Sequence, residues 1–290
     1  MQAATGCIYL PVFFVIHIVL VHSYSDQLRD VCDSHSNNQT HAGAYVGRSC
    51  YVRVTGAGNF ASAVTTCAAL TLAPGVDNGR LAYTVIQRRP VMRALHAKLP
   101  SAATNVLWAS LVQVPLTGES LGTWKICVDS AQTDCYELPG DVLPWFKNTA
   151  NGALEPNGGS AQNNGGVHIN PTLIGAVITH GLGDASSGNS YDPLCEFPDR
   201  FEQQRYDLVA DGYQAPTIAQ LPDTLVVSSK MDCADRCFKR QPACASFSFN
   251  PTTNGCVLQY MMYADVETFD RHPPQAAPGW QWYEPRFMFD

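Results

Sequence analysis

The first apolar block runs from Cys7 to Val21 almost without a break, and no Lys, Arg, Asp or Glu precedes Asp26. At about 15 residues it falls short of the about 20 that a membrane span needs, and it suits the apolar region of a secretory signal. Val21-His22-Ser23 offers a small residue at a cleavage point, so residues 1–23 are expected to be a signal peptide, with a signal anchor as the alternative. Residues 24–44 are polar and predict a loose leader anchored at Cys32. Tyr45 to Val54 predicts a strand. Phe60, Ala63, Val64 and Cys67 then fall on one face of a helix that Asn59 can cap. Ala73 to Gly79 is a loop by composition, and Gly79-Arg80-Leu81-Ala82-Tyr83 a short extended piece. A second helix is predicted from Pro90 to Lys98, with Pro in the first turn and Val91, Leu95 and the flanking Leu99 on its apolar side. Val106 to Val112 is apolar throughout, as a buried central strand is.

Gly122-Thr123-Trp124 leads to Cys127 and Cys135, close enough for a local disulfide loop, just as Cys32 and Cys50 are close enough to staple an N-terminal hairpin. Pro139 to Ser190 is rich in Gly, Asn, Pro and Ser and is broken only by Leu173 to Thr179. Irregular chain of that length inside a domain is usually functional. Residues 199–223 are mixed and partly charged and predict a linker. Ser229 can cap a helix that carries Cys233 and Cys237 on one face. Ala245 to Asn250 alternates like a strand, Pro251 to Gly255 turns, Cys256 to Tyr260 pairs back, and Gly279 to Tyr283 supplies a last aromatic strand. There is no internal repeat.

Composition narrows the partners. The chain has eleven cysteines, and ten remain if Cys7 leaves with the signal, an even number that suits a disulfide framework in an oxidising compartment. The formal charge of −7, with no Lys/Arg cluster against it, makes nucleic acid and anionic membrane poor partners. No second apolar run of spanning length follows the first, so no membrane span is expected in the mature chain. Asn38-Gln39-Thr40 is a glycosylation acceptor. Nucleophile elbows, zinc-protease motifs and phosphate-binding loops are missing from the sequence, so no enzyme activity is expected. Gly158-Gly159 and Gly165-Gly166 lack the following helix that a phosphate cradle needs and are expected to give the long loop its turns. His168 and His180 are expected to be solvated or core histidines, and Trp280 and Trp282 packing residues.

Ser49-Cys50-Tyr51, the helix ending at Cys67, Gly79-Arg80-Leu81-Ala82, Trp108-Ala109-Ser110-Leu111, Trp124, Glu155-Pro156-Asn157 and Leu194-Cys195-Glu196-Phe197 follow one another in an order that resembles a C-type lectin-like domain over residues 45–198. The resemblance implies a double-loop α+β fold in which the long loop carries the ligand site. It also implies a Cys67 to Cys195 bond, which would close a loop worth about 4 to 5 kcal/mol in the chain-entropy model; two buried thiols are the alternative. In sugar-binding members Glu-Pro-Asn and a later Trp-Asn-Asp hold one calcium ion that also takes two vicinal sugar hydroxyls. Calcium favours six to eight oxygen ligands at flexible angles, which carboxylates and amides on a loop can offer. Carried over, the calcium and sugar ligands are Glu155, Asn157 and Asp184, with Asn163 or Asn164 as a further ligand. Leu182-Gly183-Asp184 stands where Trp-Asn-Asp belongs, keeping Asp184 alone, and Ser187 and Leu173 stand where two inner cysteines usually do. Glu-Pro-Asn goes with mannose, fucose or N-acetylglucosamine type sugars.

Cys233-x3-Cys237, Cys244-Ala245-Ser246-Phe247-Ser248-Phe249-Asn250, Cys256-Val257-Leu258 and Gly279-Trp280-Gln281-Trp282-Tyr283 resemble a PAN or apple domain over residues 224–290. That resemblance implies nested bonds, Cys233 to Cys256 and Cys237 to Cys244, and binding of protein or glycan; a zinc site is the competing use of these cysteines. The fold class expected is therefore α+β, a disulfide-stapled lectin-like domain followed by a small PAN/apple α+β domain. The function expected is a secreted, extracellular protein that binds glycans or glycoproteins through calcium. The alternative is an adhesion, coat or matrix protein that binds proteins without calcium or sugar.

Overall fold

A computed structural model describes residues 24–56, 58–99, 106–113, 122–145, 164–168, 180–199, 204–241, 243–263 and 273–286. The fold is mixed α+β, with two sheets. The larger, nine-stranded among the described residues, runs in the order β1 (His41–Val46), β2 (Ser49–Val54), β9 (Asp192–Pro198), β4 (Val106–Gln113), β5 (Thr123–Cys127), β6 (Cys135–Pro139). Here β3 (Arg80–Leu81) pairs with β9, and β7 (Asn164–His168) pairs with β4 and with β8 (Gly181–Ala185). Only β4 and β9 run parallel among these pairs. The central strands β2, β9 and β4 are nearly continuously buried, and so is the outer strand β1, which has α3 packed against it.

Helix α2 (Phe60–Ala69) starts where Asn59 accepts the Ser62 amide, and it buries Ala63 and Cys67. Helix α3 (Arg89–Lys98) carries its proline in the first turn and buries Val91, Met92 and Leu95. The polar stretch 24–44, read from sequence as a loose leader, instead forms α1 (24–34) and β1. Two fully buried positions four apart, Leu28 and Cys32, are enough to seat α1, and Ala42, Ala44 and Val46 alternate into the core from β1.

The long stretch expected to be irregular also contains order. Gly165 and Gly166 lie within β7 rather than in turns, since a Cβ on Gly165 would meet the Leu111 side chain at 2.3 Å and one on Gly166 would meet Val106 at 2.4 Å. Their lack of a side chain lets β7 lie close against β4.

The second sheet runs β10 (Tyr206–Gln214), β14 (Gln275–Pro285), β12 (Ser246–Asn250), β13 (Gly255–Gln259), β11 (Gln220–Val226), all antiparallel, with α4 (Lys230–Lys239) packed on it. The linker expected over 199–223 is thus mostly strand. Its period-2 pattern is hidden because β10 is an edge strand with exposed Leu208, Val209 and Tyr213, and because its register shifts at Val209 and again at Gly212, which has φ +79°. Five disulfides close the framework: Cys32–Cys50, Cys67–Cys195, Cys127–Cys135, Cys233–Cys256 and Cys237–Cys244.

The two sheets share a core. Ala215, Ala219, Met261 and Trp282 of the second are buried in one apolar cluster with Ala44, Val46, Val91 and Leu95 of the first. Within it Gln87, 3% exposed, donates to the carbonyls of Tyr260 and Ala243 and accepts from the Tyr136 hydroxyl.

Candidate functional site

Between Trp145 and His180 the chain re-enters the first sheet as β7, and the described residues at the two ends of this span show how they are held together. Arg89, 2% exposed at the start of α3, donates from Nη1 to the His180 carbonyl at 2.8 Å and from Nη2 to the Trp145 carbonyl at 3.0 Å. The Leu182 amide adds a bond to the Pro144 carbonyl at 2.9 Å. A guanidinium suits this clamp because its donors sit in a rigid fork. His180 also meets α3 through its Nε2, 3.0 Å from His96 Nδ1. Burial foremost, then the neighbouring His96, Arg93 and Arg89, pushes the His180 imidazole down to about 4.

Four residues beyond His180, Asp184 lies on β8 opposite Gly165 of β7 and is half-buried. Of the other expected calcium ligands, Glu155, Asn157 and Asn163 lie outside the described residues. Asn164 lies at the start of β7, 6% exposed, paired with Val112 and Ala185, so the structure places this alternative in the sheet. Among the described residues, His, Cys, Asp and Glu form no group of three that could hold a metal ion. Trp108 is buried beside this region, edge-on to Phe60 and Tyr191, with its indole N–H on the Gly58 carbonyl at 2.8 Å.

A second concave feature lies between the sheets, a cavity of about 230 Å³. Gly47 and Arg48, the two-residue turn between β1 and β2, form part of its wall, and both have positive φ, +56° and +71°. Such a turn matches the twist of the strands it joins, but Arg in that conformation is strained where Gly or Asn is at ease. Tyr83 and Arg88 line the cavity from the first unit, and Phe238 and Gln241 from the second. Asp199 completes the wall: its Oδ2 accepts from the Ser25 and Tyr45 hydroxyls, while its Oδ1, which has almost no accessible surface, has no hydrogen-bond partner among the described residues. Burial foremost, with Asp199 next, raises the Tyr45 hydroxyl well above its usual range. No motif marks this cleft in the sequence, because its residues come from separate segments.

Asn38 sits in the turn between α1 and β1. Its Oδ1 accepts from the Thr40 amide at 2.9 Å, the Thr40 hydroxyl at 2.8 Å and the His41 amide at 3.1 Å.

In the second unit Ser229 caps α4 by accepting the Asp232 amide, and two nested disulfides pin that helix, Cys233 to Cys256 on β13 and Cys237 to Cys244 just before β12. Residues 213–277 match the PAN domain family. The match takes in β11, α4, β12 and β13 and starts upstream of the boundary at 224 that the sequence suggests, within β10. The PAN domain is a protein- and carbohydrate-binding module. In this PAN-like unit Trp282 is fully buried with its indole N–H on Ser246, and Trp280 covers Gly255, so both tryptophans pack. No curated protein matches the chain. Among the described residues no helix is long and apolar enough to cross a membrane. The five disulfides and the PAN match are consistent with an extracellular protein.

Proposed function

We propose that this chain is a secreted recognition protein whose N-terminal unit, residues 45–198, binds a mannose, fucose or N-acetylglucosamine type sugar through calcium. In this proposal the PAN-like unit adds a second contact to protein or glycan. The observation that carries the reading is the Arg89 clamp. It joins Trp145, before the segment that holds Glu155, Asn157 and Asn163, to His180, four residues before Asp184, while β7, which follows that segment, pairs with the strand that carries Asp184. The donor set of carboxylates and amides is all oxygen and hard, which fits calcium by chemistry. Glu155, Asn157, Asn163 and Asp184 would hold the ion, which when bound would offer its remaining positions to vicinal hydroxyls. No catalytic step belongs to the proposal.

The test is glycan-array binding by the secreted chain with and without a chelator, together with Glu155→Gln. Binding of mannose-type glycans that disappears on chelation and in the variant is the expected result. Chelator-indifferent binding, or no glycan signal at all, removes the calcium site and leaves an adhesion, coat or matrix protein that binds proteins.

A further inference from the structure

We infer that the Cys127–Cys135 disulfide is a thiol-exchange site, opened by a small dithiol of neutral or positive charge while the rest of the framework stays closed. Every half-cystine of the other four bonds has 0% solvent exposure, whereas Cys135 is partly exposed. Cys127 and Cys135 stand directly opposite each other on β5 and β6, and among the described residues β6 pairs with β5 alone, so the bond lies at an outer border of the sheet. Exchange requires a thiolate to reach a sulfur, and bonds that can be reached are the labile ones.

Opening this bond does not require unfolding. It spans a separation of 8 residues, so the unfolded chain gains little freedom when it is cut. The loop also holds its own turn. Asp129 accepts the Thr133 and Asp134 amides at 2.8 Å each, and the Val128 amide donates to the Asp134 carbonyl at 2.9 Å. Arg80 on the Val128 carbonyl and the Ser110 hydroxyl on the Cys127 carbonyl tie this turn to the sheet.

The loop also selects the reagent. Residues 128–134 contain Asp129 and Asp134 and no Lys or Arg, and Asp134 adjoins Cys135. Lys125 and Glu137, two positions along the paired strands, offset each other in an ion pair at 3.4 Å. With Arg80 counted, the surroundings stay negative, so a reagent with a further negative charge is repelled. One thiolate of the dithiol attacks Cys135 Sγ, the sulfur–sulfur bond breaks, and Cys127 leaves as a thiolate that takes a proton from water. The second thiolate attacks the mixed disulfide and frees Cys135. Two electrons thus pass from the dithiol, which ends as a cyclic disulfide, to the protein, which ends with two thiols.

The inference is independent of the calcium reading, and the measurement is made in chelator. The full secreted chain, without denaturant and at low salt, is exposed for timed intervals to dithiothreitol, cationic dithiobutylamine or anionic dihydrolipoate. Acid stops the exchange, and free thiols are alkylated and located by peptide mass spectrometry. Each rate is divided by that on a neutral small-molecule disulfide. Cys127 and Cys135 are expected to be freed together, about tenfold or more sooner than any other cysteine, with near-UV circular dichroism retained. Dithiobutylamine is expected to outpace dihydrolipoate, and Asp134→Asn to narrow that gap. The inference is overturned if another bond opens as fast, if neither cysteine is freed before the circular dichroism is lost, or if the three reagents act at one relative rate.

Discussion

Glu196 has no solvent exposure, yet both of its oxygens are filled. Oε1 accepts from the Ser49 and Thr84 hydroxyls and Oε2 from the Tyr83 and Thr84 amides. A carboxylate with four donors around it is well compensated, and one that loses an acceptor there is not. Glu196→Gln would turn an amide NH2 toward donors and is expected to cost about 1 to 3 kcal/mol in urea unfolding. His180 makes a pH-dependent counterpart. Its imidazole is held down at about 4 in the fold, so between that value and the usual 6.5 the unfolded chain binds a proton that the folded chain does not. Stability from this group is complete above pH 6.5 and declines as pH falls toward 4. The melting temperature should drop over that interval, and less steeply in His180→Gln. Neither residue was legible beforehand as what it is. Glu196 was visible only as part of a Leu-Cys-Glu-Phe run, and His180 only as a histidine in a loop, because their roles depend on donors and rings brought in from distant segments.

Secondary elements were readable where the period was clean. The apolar spacing of α2 and α3, the continuous run of β4 and the Ser229 cap of α4 all carry local signals. The elements missed share a different physics. In β7 the glycines that allow close packing are the residues that suggest turns, and β10 is an edge strand with bulges. Half-cystines compensate for such weak local signals, and their contributions should scale with the loops they close. Cys67–Cys195 spans a separation of 128 residues and Cys127–Cys135 one of 8. The chain-entropy model gives about 5 kcal/mol for the first and about 2 to 3 kcal/mol for the second. Replacing Cys67 and Cys195 by Ala should therefore lower the denaturant midpoint clearly more than replacing Cys127 and Cys135. Equal losses would mean that the unfolded chain does not feel the longer constraint.

Across the molecule the sequence suggests two modules and hides their union. Gln87, the Trp282 ring and the apolar cluster that spans both sheets join them, and no local pattern announces a residue whose partners lie 173 positions away. Calorimetry is expected to show one cooperative transition for both units, and Trp282→Ala should lower the stability of the whole by about 3 to 5 kcal/mol. Two separated transitions would show that the shared cluster does not couple them. Asn38 bears on a hazard at this same scale. It precedes β1, which among the described residues pairs as a strand with β2 alone and on its other side has the Gly43 amide on the His35 carbonyl and the Tyr45 carbonyl on Lys98 Nζ. An oligosaccharide attached there would add a bulky, hydrated post beside an outer strand that the His35 and Lys98 contacts already blunt in part. Attachment at this turn would keep neighbouring molecules from zippering together, whatever else the carbohydrate does.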